Sequence, residues 1–165
     1  MTLLLVTLHL LGAIVWLGGS LFIGLVLVPT SRAFGETGQA LVRAAGRRFR
    51  WVAWPAIAIS VGTGVVLAWQ DGFLGALLDG TLLTLPRGPL FLVKAVLVLI
   101  ALVLEGLHDW VLGAMAVRRE RAAPAANDPS LLAQAQALRK AIARVGFVNG
   151  GVVLAVVVAG VLLGR

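Results

Sequence analysis

Five ionisable side chains interrupt otherwise apolar stretches of this sequence: His9, Lys94, Glu105, His108 and Asp109. At mid-depth in a bilayer such a group costs roughly 2.5–3.5 kcal/mol on insertion scales, so each one needs a partner or a task. The chemistry open to them is narrow. The chain has no Cys, which excludes disulfides, thiolate metal sites and cysteine nucleophiles, and leaves His, Met, Lys, carboxylate or backbone to hold a metal or cofactor. Imidazole is the most versatile of these, since it ligates metals when neutral and carries protons near neutral pH. Glu105-x-x-His108 has the spacing used in di-iron helical bundles, but those sites need a second such pair and more carboxylates, and only one pair occurs here. No phosphate-binding glycine loop, Ser/His/Asp order or paired catalytic carboxylates is present, so hydrolysis and phosphoryl transfer are excluded.

The elements that must position these groups follow from composition. Of 165 residues 60% are apolar and 13% charged, with a mean hydropathy of +1.01, whereas a soluble domain carries about 25% charged residues. The net charge of +7 sits in short patches between long apolar runs, which argues against nucleic-acid binding. A spanning helix needs roughly 20 mostly apolar residues, and four stretches qualify: 3–28, 51–70, 89–112 and 143–163. The expected fold is all-α, a polytopic four-transmembrane-helix bundle in one domain over 1–165. No basic segment precedes the first span and it exceeds a signal-peptide core, so it is expected to be an uncleaved helix.

The basic residues set an expected orientation. Arg32, Arg43, Arg47, Arg48 and Arg50 lie in the first connection, and Arg118, Arg119, Arg121, Arg139, Lys140 and Arg144 in or beside the third, 11 of the 14 in all. By the positive-inside rule those connections face the cytoplasm and both termini face outward. The second connection, 71–88, is apolar but broken by Gly and Asp, and predicts a short interfacial helix or lid. In the third, Pro124 and Asn127-Asp128-Pro129 mark a break, and the Ala-rich 122–126 reads as a tether. Pro129 is placed for a helix start, and Leu131, Ala135, Leu138 and Ile142 predict an amphipathic extension over 129–142 that continues into the last span. Pro55 is expected in the first turn of the second helix, and the Gly146/Gly150 spacing offers a packing seam, internal or in a homo-oligomer.

Counting from the outer ends of the first and third helices places His9 and Lys94 at one depth, about 8–9 Å inside the boundary. Gly12 and Trp16 follow His9 on the same face. Glu105 and His108 lie about 20° ahead of and 40° behind Lys94 on theirs. Two polar layers result: an outer one of His9 and Lys94, with Arg87 nearby, read as functional, and an inner one of Glu105, His108, Asp109, Arg144 and Asn149, read as structural ion pairs and interhelical hydrogen bonds. Trp51, Trp69 and Trp110 are placed for an interfacial belt, Trp16 and Trp54 for lining a pocket.

His9-x6-Trp16-x-Gly18-Gly19, Arg47-Arg48-Phe49 with Pro55 and Thr63-Gly64, Phe91-Leu-Val-Lys94, and His108-Asp109-x3-Gly113 together resemble the copper resistance protein D superfamily, which includes the HemJ-type membrane protoporphyrinogen oxidase. The resemblance covers nearly the whole chain. It departs where Asn149-Gly150-Gly151 replaces the Asn-Glu-x-Pro segment of the HemJ pattern. It implies a bacterial inner-membrane protein that binds haem b, with His9 an axial ligand and Lys94 a second ligand or the charge that receives a propionate. Trp16 would then pack on the macrocycle, and Gly12, Gly18 and Gly19 would leave it room. The implied activity is membrane electron transfer or porphyrinogen oxidation, with a quinone or porphyrin as substrate. The copper-resistance branch implies instead copper movement, with His9, Lys94, Glu105 and His108 along the path and His9 and His108 as metal ligands, although Met1 and Met115 are the only methionines. A third expectation is an accessory subunit of a larger membrane complex, docking through the Ala/Val/Gly face of the last helix.

Overall fold

The computed structural model describes residues 2–126 and 128–164, so Asn127 of the expected break, Met1 and Arg165 lie outside the described residues. Regular structure among the described residues is helical throughout. The chain divides into two compact units, Met1–Val96 with Leu154–Arg165, and Leu97–Val153.

In the first unit, α1 (Thr2–Leu21) runs through a π-helical turn (Phe22–Leu27) into α2 (Val28–Ser31) and a 3-10 turn (Arg32–Phe34). The π turn comes just before Pro29, and the Val28 amide reaches back five residues to the Ile23 carbonyl. A proline neither donates to the carbonyl four residues back nor fits against it, and the wider turn absorbs both problems. Gly35 then takes φ +55° and ψ −130°, a conformation that disfavours any Cβ, and the chain reverses. From there α3 (Gly35–Gln70) returns antiparallel along α1: Ser31 faces Gly38, Gly19 faces Phe49, Gly12 faces Ala56 and Ser60, and His9 faces Ser60 and Gly64.

Two expectations change here. The first connection is helical, because 35–50 is rich in helix formers and opens on Glu36, which complements the helix dipole. With α3 beginning at Gly35, Pro55 lies in the helix interior and not in a first turn. The second connection does form short helices, α4 (Phe73–Leu78) and a 3-10 turn (Leu82–Thr84). Phe73 stacks on Phe91 with centroids 4.7 Å apart and planes 6° apart, and Leu82 is buried. The beginning of α5 (Gly88–Gly106) and the end of α7 (Pro129–Leu163) complete this unit, with Arg87 donating to the Leu163 carbonyl at 2.9 Å.

The second unit holds the remainder of α5, a π-helical turn (Leu107–Leu112), α6 (Gly113–Ala126) and the first part of α7. The expected tether 122–126 is instead the end of α6, as the high helix propensity of alanine favours. The Asp128 carboxylate accepts the Ser130 amide at 2.8 Å, capping α7, which runs unbroken from Pro129 to Leu163 as the stripe predicts. Glu120 on α6 and Arg139 on α7 join in a two-bond fork at 2.7 and 2.8 Å.

Among the described residues three helical stretches are long and apolar enough to cross a membrane: Thr2–Gln70, which Gly35 folds back on itself, Gly88–Ala123 and Pro129–Leu163. Many buried positions are small or polar, among them Ala53, Ala101, Ala116, Ser60, Glu105, Asp109 and Asn149, while Leu3, Leu25, Val103 and Phe147 are exposed. Water selects the opposite arrangement. Lipid gives no hydrophobic drive to bury Leu or Phe and rewards close packing of small residues and internal hydrogen bonds. Length, apolarity and this distribution are those of a membrane protein.

Candidate functional site

His9 is held by α3 through a reciprocal pair of contacts. Its Nδ1 lies 2.7 Å from the Ser60 carbonyl oxygen, and the Ser60 hydroxyl donates to the His9 carbonyl at 3.1 Å. A carbonyl only accepts, so Nδ1 carries the proton, and the lone pair of the neutral ring is on Nε2. Thr63 Oγ1 is 3.5 Å from the same Nδ1, while its own proton is directed to the Ile59 and Ser60 carbonyls at 2.6 and 3.0 Å. The ring rests on Gly64, where an added Cβ would come within 2.9 Å of Cε1. Ser60, Thr63 and Gly64 form an i, i+3, i+4 face of small residues shaped to an imidazole. Of these, Ser60 was not conspicuous in the sequence. A helix face of small hydroxyl and glycine residues was the available signal, but it takes on meaning only when α1 is known to lie against it.

The glycines near His9 serve the helix contact. A Cβ on Gly12 would stand 2.5 Å from the Ala56 carbonyl, and one on Gly19 would run into the Phe49 ring, so α3 occupies the room that the resemblance implies for a macrocycle at these two positions. Gly18 faces open space. Trp16 is buried, 4% exposed. Lys94 on α5 lies over Gly160 of α7, its Nζ 3.3 Å from where a Cβ would be, and it is within electrostatic range of His9. It has no carboxylate partner among the described residues. Arg87 does not join this group, because its guanidinium caps the carbonyl end of α7.

In the second unit Asn149 of α7 donates to Glu105 of α5 at 2.5 Å, with both side chains buried. Asn149 Oδ1 is buried without a hydrogen-bond partner among the described residues. His108 and Asp109 lie within the π turn, with His108 Nδ1 3.0 Å from Asp109 Oδ1 and the imidazole against Gly146. The five residues expected in the inner layer thus separate. Glu105 pairs with Asn149 and His108 with Asp109, whereas Arg144 is exposed. Five residues along a helix turn a side chain about 140° away, so Arg144 and Asn149 cannot share a face. Among the described residues no group of three His, Asp or Glu side chains is placed to hold a metal ion. His9 is surrounded by hydroxyls, carbonyls and glycine, and His108 has one carboxylate beside it.

Compared with protein-family models, with curated proteins and with solved structures, the chain finds no match.

Proposed function

We propose that this chain is a four-span helical membrane protein in which the His9 imidazole would hold a b-type haem, and that it works in membrane redox chemistry. The observation that carries the proposal is the Nδ1–H bond from His9 to the Ser60 carbonyl. A metal-binding imidazole characteristically has its other ring nitrogen donating to a carbonyl or carboxylate, which fixes the tautomer, stops ring rotation and makes the ligating nitrogen more basic. That donor chemistry would suit one protein ligand to a haem iron. Approach has to be from the Nε2 side, since α3 fills the space at Gly12 and Gly19. Lys94, near His9 and without a carboxylate partner, offers an ammonium to an anionic group such as a propionate, or an amine as a second ligand. A bound haem supplies one-electron exchange to a partner such as a quinone or a porphyrinogen. Purified wild-type protein is expected to show a Soret band and a reduced α-band that His9→Ala loses. Wild-type protein with neither band nor iron overturns the reading.

The proposed spans are α1 with its π extension, 51–70 of α3, α5 with the π turn, and 143–163 of α7, with both termini outside a bacterial inner membrane. Trp51 and Trp69, both strongly exposed, support the second span, because 18 residues of helix cover about 27 Å, close to the hydrocarbon thickness. The absence of cysteine makes single-cysteine labelling clean. Asp79→Cys is expected to react with an impermeant maleimide in intact cells, and Glu36→Cys only after permeabilisation; the opposite pattern refutes the topology.

A further inference from the structure

The sequence has twice as many basic as acidic residues, 14 against 7, and the second unit contains a place where that excess is uncompensated. α6 carries a single carboxylate, Glu120, and Arg139 takes both of its oxygens. Arg118 and Arg119, just before it, are exposed and have no acidic partner among the described residues. Arg121 follows Arg118 at i+3, and the other neighbours within a turn on this face, Met115 and Ala122, are apolar. Met115, Arg118, Arg119 and Ala122 stand at i, i+3, i+4 and i+7, a diamond on one helix face, and together they border a shallow, open groove between side chains on the surface of α6. The groove lies just beyond the apolar stretch 89–112, where hydrocarbon-compatible residues give way to charge.

Two adjacent guanidiniums present a rigid set of donors that matches phosphate oxygens in pairs. A free anion would need only these. Met115, on the membrane side of the pair, adds an apolar contact that a small anion cannot use and an acyl chain can. We infer that this groove binds the headgroup of an anionic phospholipid, with Arg118 and Arg119 on the phosphodiester and Met115 against the first methylenes of the acyl chain. The inference rests on reading 89–112 as a membrane span.

The test is lipid binding by the full chain, delipidated in neutral detergent and followed by native mass spectrometry with phosphatidylglycerol, phosphatidylcholine or inorganic phosphate. Wild-type protein is expected to prefer phosphatidylglycerol over phosphatidylcholine by about thirtyfold, given the usual gain per basic residue at an anionic surface counted for two arginines. R118Q/R119Q is expected to lose that preference and R118K/R119K to keep part of it. R47Q/R48Q, which removes the same charge from exposed positions on α3, is expected to keep it in full. Circular dichroism and a monodisperse elution profile check that the variants fold. The inference is overturned if R118Q/R119Q retains the preference or if R47Q/R48Q loses it equally. It is also overturned if inorganic phosphate displaces the lipid at matched concentration, which marks a free-anion site. Release of wild-type protein from membranes by alkaline carbonate is a different failure, that of the membrane-span reading.

Discussion

At the scale of single residues, His9 shows how a costly polar group is accommodated. Its ring proton goes to the Ser60 carbonyl, and the Ser60 hydroxyl returns a bond to the His9 carbonyl, so each helix supplies both donor and acceptor. Ser60→Ala removes only the returned bond. It is expected to lower stability by about 0.5–1.5 kcal/mol while leaving the histidine tautomer unchanged, as thermal unfolding in detergent and the imidazole nitrogen shifts can show. Gly12 and Gly18 make a sharper pair. A side chain at Gly12 meets the backbone carbonyl of Ala56, whereas one at Gly18 meets nothing within 4 Å. Gly12→Val is therefore expected to cost at least about 1–3 kcal/mol through overpacking, and Gly18→Ala to stay within about 0.5 kcal/mol of wild type. Equal effects from the two substitutions would contradict the α1–α3 contact. His9, Lys94, Glu105 and His108 were conspicuous in the sequence because ionisable groups are rare in apolar runs. Ser60 was not, because a serine in a helix is ordinary until its neighbour is known.

Elements show a different division. Hydropathy located apolar segments within each of the three long helical stretches, and the proline after an Asx residue marked the start of α7 correctly. What hydropathy missed was helix beyond the apolar window. Residues 35–50 and 113–126 are polar enough to read as connections, yet they extend helices whose nuclei already exist, and adding residues to an existing helix is far easier than starting one. The π turns were also invisible, since they answer to Pro29 in one case and lie around His108 and Asp109 in the other. Asp128 is a test at the start of α7. Hydrogen bonds from the Ser130 hydroxyl and amide hold its carboxyl below the ordinary value of 3.8. A carboxyl depressed in the folded state stabilises the helix start above its unfolded pKa, and that contribution is lost as pH falls through the lower folded value. Faster amide exchange is expected over the first turn of α7 under strong acid, and in Asp128→Ala at neutral pH. Between α5 and α7, a double-mutant cycle of Glu105→Gln with Asn149→Ala is expected to give a coupling of about 0.6–1.7 kcal/mol in detergent-based unfolding. A coupling near zero would mean that the buried hydrogen bond adds nothing to the pairing of these helices.

For the molecule as a whole, the exposed leucines, valines and phenylalanines predict that the chain stays in the membrane fraction after alkaline carbonate, and that it aggregates when detergent is diluted below its micellar concentration. Recovery as a monomer in plain buffer would refute this. By itself, the sequence determined that the protein is helical and built for a membrane, because apolar length and charge distribution are local quantities that need no partner to be counted. It also exposed which side chains are too costly in lipid to be idle. The tertiary structure decided what those side chains touch. Gly12 and Gly19 turned out to admit a neighbouring helix, Arg87 to cap α7, and Arg144 to face away from Asn149. The physical reason is that a hydrogen bond or close approach between helices depends on register and rotation of both, and the sequence of either helix alone fixes only its own faces.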